Sequence, residues 1–200
     1  AQVCRFDFML NDREFSMAVK DLNMSYLIKD LIRIGVKSLK IEGRMRSPYY
    51  LATVLSSYRR IIDAYYDGTL EKHLLEKENK ILSRVSNRAN STHFYDKEAD
   101  FTDQYYTGRQ ELSNQDYLAF VLDYDKETNI CTMSQRNYFE VGDKVEIITP
   151  NGEIIPLIVN ELFNENMENI DKANHAEEII KIRIDREIPV NSMVRKAYDE

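Results

Sequence analysis

The stretch of sequence best suited to chemistry is Glu-Gly-Arg-Met-Arg-Ser at residues 42–47. Glu42 could act as a general base or could orient a neighbouring arginine. Arg44 and Arg46 each carry a planar fork of donors that suits a carboxylate or a phosphate, and Gly43 would let the backbone approach a ligand closely. An internal salt bridge between Glu42 and an arginine, pinning a tight turn, explains the same residues equally well. Both interpretations stay open at this point.

The two cysteines are the remaining candidates for reactive or metal-binding side chains. Cys4 could be a metal or cluster ligand, although a single free cysteine is more often a small core residue. Cys131 lies between Ile130 and Thr132 in an apparent strand, and we expect it to be structural. Two cysteines so far apart do not suggest a disulfide framework, which favours reduced thiols in the cytoplasm. The three histidines are widely separated, and the sequence contains no zinc-protease, nucleophile-elbow or phosphate-loop motif.

The elements around residues 42–47 predict an active-site location. Apolar residues at helical spacing indicate a helix over 22–34, and residues 36–41 have the alternation of a short strand. Ser47 and Pro48 are typical of a helix start, with an apolar stripe that continues to about residue 66. The loop would then lie between the end of a strand and the start of a helix, where α/β folds bind ligands and the helix contributes partial positive charge. A third amphipathic helix is predicted over about 70–84.

The second half of the chain changes to a β pattern. Residues 85–116 are polar without apolar periodicity and are predicted to form a linker. Six strands follow, and Asn151-Gly152 is a strong hairpin signal; the predicted strands are 117–124, 130–135, 144–149, 153–161, 179–184 and 192–196. Short strands separated by turns suggest a small closed barrel. We therefore predict an α+β chain with domains 1–84 and 117–200.

Charge is unevenly distributed along the 200 residues. The formal net charge is −7, but residues 1–60 hold eleven Lys and Arg against six Asp and Glu, so this segment is +5 and the remainder −12. A basic first segment could face phosphate, although solvated helix faces are the commoner explanation. No apolar run reaches the roughly 20 residues that a membrane-spanning helix needs. The start shows no secretory pattern and no Met, so we expect part of a longer protein.

Several segments resemble the peptidase U32 family of collagenase-like proteases. In the first half the resemblance rests on residues 20–22, 34–50 and 58–63, with residues 1–5 similar to the end of the family's cysteine motif. In the second half it rests on residues 121–125, 135–139, 141–146 and 193–196, which are similar to the family's C-terminal barrel. The resemblance implies that residues 1–84 are the helix-rich end of a catalytic α/β (TIM-like) barrel.

The resemblance implies two activities, because the family is named for proteolysis but also includes tRNA hydroxylation enzymes. Those enzymes convert the wobble uridine to 5-hydroxyuridine with prephenate, and an iron–sulfur cluster is implicated. On this reading Cys4 is one cluster ligand, Glu42 and Arg44 are catalytic, and Lys40, Arg44 and Arg46 face tRNA phosphate. The alternatives are a collagenase-like peptidase with a protein substrate, or a non-catalytic barrel that binds RNA or protein. We expect these 200 residues alone to be inactive and to hold no cofactor.

Overall fold

The computed structural model describes most of the chain, namely residues 3, 6–44, 46–86, 88–98, 100–103 and 116–198. The chain divides into two units, Ala1–Ser113 and Asn114–Glu200. Their boundary lies inside the predicted linker 85–116. Three helices in the first unit and an antiparallel sheet in the second make the chain an α+β protein, as predicted.

The first unit combines helices with short strand pairs. Strands β1 and β2 form an antiparallel hairpin, and the two turn residues Asn11 and Asp12 have left-handed φ values of 49° and 59°. Strands β3 and β4 pair in parallel, so residues from the predicted linker belong to this unit. The elements in order are β1 (Asp7–Leu10), β2 (Arg13–Ser16), β3 (Asp21–Leu22), α1 (Ile28–Arg33), α2 (Pro48–Tyr66), α3 (Lys72–Val85) and β4 (Asn90–Ser91).

The start of α2 is confirmed in detail. The Ser47 hydroxyl accepts a hydrogen bond of 3.1 Å from the Tyr50 N–H, and Pro48 occupies the first helical position. This arrangement satisfies one of the backbone donors that a helix start leaves free. The chain leaves the helix at Gly68, whose φ of 71° is readily adopted only without a side chain. Helix α1 is shorter than predicted, because Ser25–Leu27 forms a 3₁₀ turn before it.

The predicted strand over residues 36–41 is wrong. These residues belong to none of the sheets. A strand needs a neighbour to satisfy its backbone groups, and no described strand pairs with this segment. Val36 instead donates its N–H to the Leu31 carbonyl oxygen at 3.0 Å, and its side chain and that of Leu39 are exposed. The predicted helix–strand–loop–helix order therefore fails at its strand.

Helices α2 and α3 pack against each other through an apolar seam and one buried ion pair. Ile61 on α2 and Ile81 on α3 are almost fully buried. Glu78 on α3, only 2% exposed, accepts two hydrogen bonds from the Arg60 guanidinium on α2, 2.7 Å from Nε and 2.8 Å from Nη2. A bidentate pair of this kind fixes the rotation of both helices as well as their distance.

The second unit is built on one eight-stranded antiparallel sheet in the order β11-β10-β13-β6-β5-β14-β8-β9. All six predicted strands are present, and β7, β10, β11 and β12 were not predicted. Strands β7 and β12 form a separate pair. The strands are β5 (Tyr117–Asp125), β6 (Ile130–Gln135), β7 (Phe139–Glu140), β8 (Lys144–Ile148), β9 (Ile154–Ile158), β10 (Leu162–Asn164), β11 (Asn169–Ile170), β12 (Lys172–Ala173), β13 (Ile179–Arg183) and β14 (Met193–Lys196).

The core of the second unit is a continuous apolar cluster contributed by most of these strands. Phe139, Met133 and Cys131 are fully buried within it. Burial raises the pKa of the Cys131 thiol to about 12, since the core disfavours a thiolate. Cys131 therefore has the structural role expected from the sequence. Among the helices described in either unit, none combines the length and the apolar character needed to cross a membrane.

Candidate functional site

Glu42 and Arg44 form a local ion pair on the surface of the first unit. The Glu42 carboxylate accepts from the backbone N–H of Arg44 at 2.9 Å and from its Nε at 3.3 Å. Both side chains face solvent, with exposed fractions of 63% and 89%. The hydrogen bond from the Arg44 backbone, followed by that from its side chain, lowers the pKa of Glu42. The internal salt bridge considered above is therefore present, and it leaves Glu42 ionised and accessible.

Gly43 lets this turn lie against the first turns of α2. A Cβ built on Gly43 would be 2.2 Å from Cδ2 of Leu51, closer than any side chain tolerates without shifting its neighbour. The Gly43 carbonyl oxygen also accepts from the Arg46 N–H at 3.0 Å. The glycine therefore serves close packing against the Leu51 side chain, which would have to move to accept a larger residue, whereas the sequence alone had suggested ligand approach.

Arg46 has a different partner from Arg44. Its Nη2 lies 2.6 Å from Oδ2 of Asp21 on β3, and the two side chains are only 18% and 19% exposed. The guanidinium carbon lies 4.8 Å from the centroid of the Tyr50 ring, a cation–π contact. Asp21 and Tyr50 therefore fix the position of Arg46, whereas Arg44 is held only by its own turn.

Asp21, the partner of Arg46, lines a small polar cleft between β3 and the helices. Oδ2 of Asp21 also accepts from the Ser86 hydroxyl at 3.0 Å. Deeper in the cleft, the Tyr58 hydroxyl accepts from the Met24 N–H at 2.9 Å. Burial raises the pKa values of Tyr50 and Tyr58, so both phenols stay protonated. Sequence reasoning assigned no site role to these cleft residues, although Asp21, Tyr50 and Tyr58 lie in the family-like segments.

Lys40 belongs to a group of cations that form no ion pair with any residue the structure describes. Lys29 on α1 and Lys37 in the following segment share this property, and all three are exposed. We call these three residues the lysine strip. The charge of Lys40 also contributes to the lowered pKa of Glu42. Unpaired lysines on an exposed surface are available to an anionic partner.

Cys4 lies outside the described residues, as does Met45. The other cysteine, Cys131, is buried in the core of the second unit. Within the described ranges, no group of three or more His, Cys, Asp or Glu side chains is arranged to hold a metal ion. The described residues therefore do not form an iron–sulfur cluster site.

Asp103 connects the end of the first unit to β3 and β4. Its carboxylate accepts from the Ser91 hydroxyl, from Nζ of Lys97 at 2.9 Å and from the Asp100 N–H at 3.1 Å. Its carbonyl oxygen accepts from the Lys20 N–H at 3.1 Å. The bonds from Ser91 and then from Lys97 lower the pKa of Asp103 well below its usual range.

This carboxylate predicts an acid-sensitive contact. Because the folded pKa lies below the unfolded value of about 4, Asp103 stabilises the fold at higher pH and loses that contribution as the pH falls below about 4. We expect Asp103→Asn to have a lower melting temperature than the unsubstituted chain at pH 7. The difference between the two melting temperatures should be smaller at pH 3. Melting curves followed by circular dichroism measure this gap, with the exposed Glu98→Gln as the control. A gap that does not change with pH would contradict the prediction.

Comparison with known proteins agrees with this two-unit organisation. Residues 1–105 match the family described as Peptidase family U32, and residues 113–195 match the Peptidase family U32 C-terminal domain. The tRNA hydroxylation protein P1 of Bacillus subtilis is 34% identical, over 98% of this chain and 50% of that protein. A collagenase of Porphyromonas gingivalis is 27% identical, over 98% of this chain and 54% of that protein.

A solved structure also matches. The C-terminal domain of a protein described as a U32 peptidase from Geobacillus thermoleovorans has 32% identity and a TM-score of 0.40, covering 44% of this chain and 100% of that one. The chain spans about half the length of the curated relatives above. Since the family match extends over more than half of its residues, this chain belongs to peptidase family U32.

Proposed function

We propose that the chain is part of an enzyme that hydroxylates the wobble uridine of tRNA in a prephenate-dependent reaction. The observation that carries this proposal is the lysine strip, three exposed lysines that form no ion pair with a described residue, of which Lys40 lies close enough to Glu42 to lower its pKa. Phosphate contacts from lysine and arginine supply nearly all of the non-specific affinity of proteins for nucleic acids and a large share of the specific affinity. A relative named as a tRNA hydroxylation protein, similar along nearly the whole chain, supports the same function.

Each predicted site residue has a place in this proposal. Lys40 and Arg44 contact tRNA phosphates, since both side chains are exposed. Arg46 is held by Asp21 and Tyr50, so its remaining donors present a fixed edge to the substrate. Glu42 remains a carboxylate near neutral pH and can accept a proton or orient Arg44.

Cys4 is the one residue of this chain that we propose to bind a cofactor. Clusters are held by several cysteine thiolates, and Cys131 cannot serve because its thiol is buried and protonated. We assign Cys4 as one ligand in the longer protein and derive no catalytic step through the cluster. Iron and sulfide content of the anaerobically purified longer protein, with and without Cys4→Ser, tests this assignment.

We also propose an architecture for each of the two units and a cellular compartment for the enzyme. The helices of the first unit form part of an α/β barrel, and the second unit is a small closed barrel. An experimental structure that shows the second unit as an open sheet would contradict the closure. The enzyme acts in the cytoplasm, where its tRNA substrate is found.

The lysine strip gives a direct test by tRNA binding. We expect the triple substitution of Lys29, Lys37 and Lys40 by alanine to weaken tRNA binding at least tenfold in low salt. The negative slope of log K against log salt concentration should become shallower by about 0.9 for each phosphate that the protein no longer neutralises. Fluorescence anisotropy over a series of salt concentrations measures both quantities. The control is Lys72→Ala, which removes a similarly exposed lysine that pairs with Glu76 on α3. Unchanged affinity in the triple variant would refute the assignment of the strip.

A peptidase is the second candidate, because one relative is named as a collagenase. On that reading the full-length protein cleaves denatured collagen, and Glu42→Gln abolishes the cleavage. Cleavage that survives this substitution would remove the catalytic role of Glu42.

RNA binding by the second unit alone is the least favoured alternative. Residues 114–200 carry 9 Lys and Arg against 18 Asp and Glu, a net charge of −9. Several of the cations present are already paired with glutamates, as in Arg136–Glu177 and Arg183–Glu161. A surface of this charge repels RNA phosphate, so a binding role here would require a protein partner.

A further inference from the structure

A second polar groove lies next to β3 and β4, and none of Lys40, Glu42, Arg44 and Arg46 lines it. Its walls include Lys20, Asn23, Tyr26, Asn79 and Asn90, together with the residues near Asp103. We call it the asparagine groove. It is defined by the first unit alone, at the point where the segment after β4 returns to β3.

The asparagine side chains leave a specific set of hydrogen-bonding groups free. Nδ2 of Asn23 donates to Oδ1 of Asn79 at 2.8 Å, and the Ser25 hydroxyl lies 3.3 Å from the same oxygen. These bonds occupy the Asn79 carbonyl, and its NH₂ group has no hydrogen-bond partner among the described residues. The amide of Asn90 has no described partner on either atom. The groove therefore offers two NH₂ donors and one carbonyl acceptor.

The charged and aromatic residues of the groove add two further features. Lys97 is neutralised by Asp103 at 2.9 Å, whereas Lys20 forms no ion pair with any residue in the described ranges. Tyr26 is 47% exposed, so one part of its ring is open to solvent. An exposed aromatic ring beside a free cation is the combination on which single-stranded nucleic acids bind, the ring stacking a base and the cation meeting a phosphate.

We propose that the asparagine groove binds one unpaired uridine of the RNA substrate. The edge of uracil presents an acceptor, a donor and an acceptor, which complement the two free NH₂ groups and the Asn90 carbonyl. Cytosine presents a donor and two acceptors on this edge and matches the set less well. Tyr26 stacks on the base, and Lys20 contacts its phosphate. This inference rests on the proposed tRNA function and assigns the part of the protein that recognises the base.

Oligonucleotide binding tests the groove directly. Fluorescein-labelled oligo-U and oligo-C of ten nucleotides are titrated into the chain, and the ratio of their dissociation constants is compared among variants. We expect Asn90→Ala to reduce the preference for oligo-U by roughly fivefold or more, the range of one good base-edge contact. We expect Tyr26→Ala to weaken binding of both oligomers by roughly fivefold or more, and Tyr26→Phe to restore it.

The controls separate this inference from the proposed function. Tyr66→Ala removes an exposed tyrosine at the end of α2, outside the groove, and should leave both affinities unchanged. Because Tyr26 is half-exposed, its variants test the groove even if Asn90→Ala folds poorly. If the lysine-strip variant weakens tRNA binding but Asn90 and Tyr26 variants change nothing, the groove assignment is overturned and the tRNA function stands. If none of these variants affects RNA binding, both are overturned.

Discussion

Replacing Glu78 by alanine is expected to destabilise the first unit by about 3 kcal/mol, the low end of the range for breaking a buried ion pair, because the Arg60 side chain is 26% exposed. The substitution leaves the Arg60 guanidinium between α2 and α3 without its carboxylate. The Ser57 hydroxyl, 3.4 Å from Nη2 of Arg60, cannot replace two charge-assisted bonds. Urea unfolding followed by the far-ultraviolet circular dichroism signal of the helices measures the decrease in stability.

The same helix provides a matched control for this prediction. Glu76 pairs with Lys72 on the exposed face of α3, and Glu76→Ala should cost about 0.5 kcal/mol or less. Replacing both Arg60 and Glu78 by apolar residues of similar size should recover most of the stability, since no buried charge then lacks a partner. A decrease below about 1 kcal/mol for Glu78→Ala would show that water replaces the lost carboxylate at Arg60 and that the pair contributes no more than an exposed one.

Replacing Phe139 by alanine is expected to destabilise the second unit by about 3–5 kcal/mol. Phe139 is fully buried and lies on the two-residue strand β7, whose single partner is β12. The cavity left by the ring would be lined by the core residues that pack around it.

Cys131 supplies the measurement for the Phe139 prediction. Its buried thiol reacts with a disulfide reagent only when the core opens, and Cys4→Ser removes the competing thiol. A destabilisation of about 3 kcal/mol should increase the labelling rate by roughly a hundredfold where labelling follows the open population. Tyr138→Ala, one position earlier and exposed, should leave the rate nearly unchanged. Equal rates in the two variants would show that Phe139 does not hold the core together.

The parts of the fold that were predictable are those set by local sequence. Ser47 and Pro48 fix the start of α2 because a capping hydroxyl and a preset φ act within one turn. Asn151-Gly152 marks the β8–β9 hairpin for the same reason, and Gly152 has a φ of 87°. The short strands β10 to β12 were missed because two or three residues are too few to show an alternating pattern.

The candidate site was only partly predictable, because its geometry depends on contacts between distant segments. The sequence located Glu42, Arg44 and Arg46, but the partner of Arg46 lies 25 residues earlier in the chain. Asp21 carries no local pattern that indicates this pairing. The prediction of a strand over 36–41 was wrong for a related reason. Alternation of apolar residues indicates a strand, but it does not show whether a neighbouring strand is there to pair with it.

The parallel pairing of β3 and β4 has a consequence for the order of events during synthesis. His93, just after β4, contacts the Lys20 carbonyl oxygen across a separation of 73 residues. Closing so long a loop is slow compared with forming a helix. The chain must therefore have emerged from the ribosome through Asp103 before the asparagine groove can form, so this part of the molecule matures after α2 and α3 have formed.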